Sequence, residues 1–173
     1  MRSAAVPGYR LSKAKPSVKV LTTLGLLGLL LGLLSASALT LAKTGLAPSS
    51  VRAYYLGTDS ANELDQLLAP NTARPFAELA EVTHLHLSGG SLLLFLLCHL
   101  LSVCELSERT RIFWYSVSFG SFLLTFACPW LIIYASPQFA YLFGPAIGVF
   151  TLSLIGLTYL PLREIWFQSN AAS

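Results

Sequence analysis

The chain holds three histidines, His84, His86 and His99, and all lie in one largely apolar stretch. Neutral imidazole ligates haem iron, zinc and copper, and ionisable groups inside a membrane span are costly enough to mark functional positions. Along a helix each residue turns by about 100° and rises by about 1.5 Å, so His99 lies within about 60° of His84 and roughly 22 Å further along the axis. Ser88, Ser91 and Phe95 fall on the stripe between them. His86 points about 160° away from His84, beside Gly89 and Gly90, so an unbroken helix does not offer both imidazoles to one metal ion.

Two imidazoles near opposite leaflets are spaced to serve two haems stacked across a membrane. In this, the run from His84 to His99 resembles the helices of b-type cytochromes, which carry two histidines about this far apart with glycines where haem or helices approach. The resemblance implies haem b held by His84 or His86 and by His99. No other apolar run carries a histidine, and the only methionine is Met1. The facing ligands would therefore come from a second copy or another subunit. In a two-fold dimer with its axis along the membrane normal, His99 stands opposite its own copy.

A second chemistry involves Glu78, Glu81 and His84, which step along one side of a helix. Glu-x-x-His is the spacing of carboxylate-bridged di-iron helices. Further carboxylates could come only from Asp59, Glu63 and Asp65, so a single zinc or copper ion is the expectation there. The alternatives are another metal or a quinone headgroup at the histidines, capping acids at a solvated helix end, interfacial polar roles for His84 and His86, and a helix-to-helix hydrogen bond from His99.

The elements that must carry these residues are membrane spans. Of 173 residues 54% are hydrophobic and 11% charged, far from the roughly 25% charged residues of a soluble domain. Four apolar runs, at about 18–42, 79–103, 112–135 and 139–162, each reach the ~20 residues that cross a bilayer core. The expectation is an all-α membrane bundle of four helices forming a single domain. A flap at 43–78 includes a short amphipathic helix at 60–68, where Leu64, Leu67 and Leu68 share a face. Pro75 suits the first turn of the second span, with Thr72 or Arg74 near its cap.

Net charge is +3, but its distribution argues against nucleic acid as a partner. Arg2, Arg10, Lys13, Lys15, Lys19, Arg109, Arg111 and Arg163 collect on one side, against Lys43, Arg52 and Arg74 on the other. By the positive-inside rule both termini are cytoplasmic and the flap faces outward. The first run exceeds the ~15 apolar residues of a signal peptide and reads as an uncleaved anchor, despite the small residues Ser35 to Ala38. Gly28 and Gly32 have the small-x-x-x-small spacing of close helix contacts. Cys98, Cys104 and Cys128 have no C-x-x-C spacing and read as small packing residues. The aromatic residues mostly mark the two membrane interfaces.

Glu81-Val82-Thr83-His84-Leu85-His86-Leu87, His99-Leu100, Pro129-Trp130-Leu131-Ile132 and Arg163-Glu164-Ile165-Trp166 look like segments of a family of short four-span bacterial inner-membrane proteins. That resemblance covers nearly the whole chain and implies fold and location. No nucleophile, base and orienting group stand at catalytic spacing, no glycine loop for phosphate is present, and no inverted repeat suggests a transporter. The expectation is a subunit of a respiratory or redox assembly that passes electrons between quinol and a periplasmic carrier through haem b. The competing class is a non-catalytic membrane scaffold or assembly subunit.

Overall fold

The computed structural model describes residues 11–57 and 72–167, and every regular element among them is helical. The elements are α1 (Pro16–Thr44), α2 (Pro48–Leu56), α3 (Phe76–Ser102), α4 (Glu108–Tyr134) and α5 (Ala140–Phe167). Short 3-10 turns at Leu11–Lys13 and Pro137–Phe139 precede α1 and α5. Helices of 27 to 29 residues reach about 40 Å, more than a hydrocarbon core of about 30 Å. Among the described residues four helices are thus long and apolar enough to cross a membrane, as the four runs predict, and each extends a few residues past its run at one end or both.

Local chemistry sets the ends. Pro16 occupies the first turn of α1, where its missing N–H costs nothing. Gly45, at φ +70°, ends that helix by donating its N–H to the Leu41 carbonyl at 2.8 Å. Ser107 caps α4 by accepting from the Thr110 N–H at 3.2 Å, with Glu108 in the first turn. At α3 the expectation shifts by one residue: Pro75 is the cap itself, in extended conformation, and no side chain caps the helix. Arg74 turns back to α2 instead.

The core divides between the two ends of the bundle. Towards the termini, Leu94, Leu97 and Leu101 of α3 meet Phe122 of α4 and Leu154, Leu157 and Ile165 of α5. Towards α2, Val51 and Tyr55 pack with Leu79, Cys128, Ile132, Phe143 and Ile147. Small residues permit the close approaches. A Cβ on Gly90 would stand 2.7 Å from the Phe122 ring, and one on Gly156 would meet the Trp114 indole. Pro129 and Pro161 are buried within their helices. All three cysteines are buried and unpaired.

The first span stands apart. α1 packs mainly on α5 and, near its C-terminal end, on α2. Polar pins join it to α5: Lys19 Nζ donates to the Ile165 carbonyl at 3.1 Å, Trp166 Nε1 to Thr23 Oγ1 at 3.0 Å, and Thr151 Oγ1 to Ser37 Oγ at 3.3 Å. An added Cβ at Gly25, Gly28 or Gly32 would meet nothing within 4 Å, so among the described residues nothing covers the small-residue face of α1.

The amphipathic helix expected at 60–68 lies outside the described residues, as do Asp59, Glu63 and Asp65. The structure shows a different helix in the flap, α2, whose Val51 and Tyr55 are buried one turn apart.

Candidate functional site

α1 leans on α5 while α3 packs on α4, and a cleft of about 630 Å³ opens between them. Leu33, Ala36 and Thr40 of α1 form one wall, and Leu85, Gly89 and Leu93 of α3 form the other. Phe122 and Phe126 of α4 and Phe150 and Leu154 of α5 form the floor, and Tyr54 and Tyr55 of α2 close one end. From Glu78 to Leu97 the lining on α3 spans 20 residue positions, about 28 Å of helix. The rims Leu39 and Leu85 are 56% and 62% exposed, so the cleft faces the lipid side.

Polar groups concentrate at the α2 end: Lys43, Tyr54, Arg74, Glu78, Thr83 and His86. Arg74 organises them. Its backbone N–H donates to the Tyr55 carbonyl at 3.0 Å, its Nε donates to the Tyr54 carbonyl at 3.2 Å, and its guanidinium lies 4.0 Å from the Tyr54 ring centroid. Its Nη1 pairs with Glu78 Oε1. Burial pushes the Tyr55 phenol above the usual tyrosine range, so Tyr55 stays a neutral hydroxyl.

The histidines separate. His84 and His99 are exposed, and so are Ser88 and Phe95 on the stripe between them. That stripe points away from the bundle. His99 stacks on Phe95 at 6.0 Å between centroids. Thr83, next to His84, accepts from Trp130 Nε1 at 2.9 Å, which sets this level of α3 beside an indole of the kind that marks membrane interfaces. His86 is exposed too, but it lines the cleft. Its Nδ1 lies 2.7 Å from the Val82 carbonyl, and its ring is 5.1 Å from Phe126, tilted by 31°.

The acidic trio does not assemble. Glu78 is engaged by Arg74 while Glu81 and His84 are exposed, and among the described residues no three His, Cys, Asp or Glu side chains converge as a metal site. The fit to haem is likewise partial: this chain offers one imidazole at each level of the outward stripe, and the second ligand would have to come from a facing helix.

Sequence reasoning missed the cleft and the Arg74 cluster. Pro48 at a helix start, Gly57 at its end and the Val51/Tyr55 pair could have marked α2. At the opposite end, Glu164 is 2% exposed, accepts from the Glu105 N–H at 2.5 Å and leaves Oε1 unpartnered. Arg111 Nη2 donates to the Cys104 carbonyl at 2.8 Å in the same turn. Burial, aided by the nearby Glu164 charge, pushes the Cys104 thiol up to about 12, which suits an inert packing residue.

A family model described as a transmembrane helical domain matches residues 45–172, which is α2 to α5 without α1. No curated protein and no solved structure matches the chain.

Proposed function

The chain belongs to this Aq_1264_TM family of transmembrane helical domains, and from that premise we propose that it is a membrane-embedded binding subunit whose cleft houses an amphipathic molecule with a long hydrocarbon tail. The observation that carries the reading is the cleft of about 630 Å³, lined mainly by apolar side chains and carrying its charged residues Lys43, Arg74 and Glu78, with His86, towards the α2 end. Its volume falls within the ~300–1,000 Å³ of ligand sites. A tail leaving the bilayer for this cleft exchanges one apolar medium for another, so shape and headgroup contacts set selectivity. Both termini then face the cytoplasm of a bacterial inner-membrane protein, because the basic residues gather at their end.

Gly89 gives the test, since it lines the cleft and an added Cβ would meet no atom of the described residues within 4 Å. Gly89→Leu should fold normally, and lipid extraction with native mass spectrometry should find the retained amphipath reduced about tenfold, the loss of roughly 1.4 kcal/mol of binding. Equal retention by both proteins, or none by either, removes the proposal.

A second reading rests on the exposure of His84 and His99 on one outward stripe. A parallel homodimer or another membrane subunit facing that stripe would complete bis-histidine ligation of haem b, giving an electron carrier between quinol and a periplasmic partner. A pyridine haemochrome spectrum decides: a haem signal lost in His99→Ala supports it, and protein without Soret absorbance ends it.

A further inference from the structure

Within the cleft, His86 has a defined hydrogen-bonding sense. The Val82 carbonyl can only accept, so the 2.7 Å contact requires a proton on Nδ1. A neutral imidazole protonated there leaves Nε2 as a lone-pair acceptor, a tautomer assigned from the hydrogen-bond network. Nε2 has no protein partner among the described residues. The ring is steadied against Phe126, which packs on Phe122 at 5.1 Å and 67°.

Arg74 is occupied by Glu78 and by the Tyr54 carbonyl and ring, which leaves Lys43 as the cleft-lining charge outside that pair. An acceptor facing an apolar cleft calls for a donor on the ligand, because burying either group unpaired costs about 1–3 kcal/mol. The aromatic floor beside His86 favours a planar head that can stack on it. A quinone carbonyl or a phosphate diester offers only acceptors and would set lone pair against lone pair.

Resting on the cleft reading, we infer that the ligand is a tail-bearing hydroquinone or phenol, bound with its O–H donated to His86 Nε2 and its ring beside Phe126. The site thereby selects the reduced form of a redox-active ring lipid over the oxidised form.

Equilibrium dialysis of the full chain, in neutral detergent under anaerobic conditions, tests this with decylubiquinol and decylubiquinone. The wild-type protein should bind the hydroquinone roughly tenfold more tightly, as one satisfied against one opposed hydrogen bond implies. His86→Leu should bring the ratio close to one, weakening the hydroquinone and relieving the quinone of the opposed lone pair, and His86→Gln, whose amide can accept from the hydroquinone or donate to the quinone, should also hold the ratio near one. Equal wild-type affinity for the two forms, or an unaltered ratio in a folded His86→Leu protein, overturns the inference. If neither form binds while a different amphipath still co-purifies and is displaced by Gly89→Leu, the headgroup assignment fails and the cleft reading stands. If nothing binds in either assay, both fail.

Discussion

α1 and α5 are both apolar rods of similar length, yet 39% of the most apolar window of the last span is buried in the protein and 6% of the first. α5 holds Phe143, Ile147, Leu154, Leu157 and Ile165 in its packed faces; α1 buries Leu26 and Thr44. Because lipid is as apolar as leucine, helices in a bilayer gain little from hiding apolar surface, and their cohesion comes from tight packing and interhelical hydrogen bonds. α5 uses packing, whereas α1 relies on polar pins at Thr23, Ser37 and Lys19. A helix pinned to one neighbour leaves its other side free, and the cleft occupies that side. The family match divides the chain in the same way, taking in α2 to α5 and leaving out α1.

The contrast makes measurable claims, read as shifts in the midpoint of denaturing-detergent unfolding. Leu157 is fully buried, and Leu157→Ala should cost about 2 kcal/mol or more through lost contacts and the cavity left behind. Gly90→Leu drives a side chain into Phe122, itself held between Phe126 and Phe150. It should destabilise by about 1–3 kcal/mol, whereas Gly89→Leu one residue away should not. Trp166→Phe removes the pin to Thr23 and should cost about 0.6 kcal/mol, a typical interhelical hydrogen bond in a membrane. Gly28→Leu and Leu31→Ala, on the open side of α1, should stay within about 0.5 kcal/mol. A large loss at Gly28 would mean that α1 is packed after all.

Those differences also explain what could be read in advance. The spans were legible because crossing a bilayer imposes a length and an apolar composition that a linear sequence displays directly. The shared stripe of His84 and His99 followed from helical geometry, but its outward direction did not, since that depends on which side of α3 meets α4. Gly28 and Gly32 offered a helix-contact motif, and the structure leaves them uncovered. Gly90, outside any such motif, makes the close approach. α2 escaped notice because nine residues with three serine or proline positions at the start show too little periodicity to stand out. The cleft had no local signal at all. It arises from the placement of α1, and only the partnering of Arg74 with Tyr54, Tyr55 and Glu78 fixes its polar end.

The Arg74 attachment has a practical corollary. Its N–H holds the Tyr55 carbonyl at 3.0 Å and its Nε the Tyr54 carbonyl at 3.2 Å, so the chain leaves α2 and rejoins the bundle at almost the same spot. Three contacts of one side chain and its N–H therefore hold the end of α2 against the start of α3. Arg74→Ala removes the Nε donor and the partner of Glu78, and should raise amide hydrogen exchange along α2 while leaving α4 and α5 unchanged.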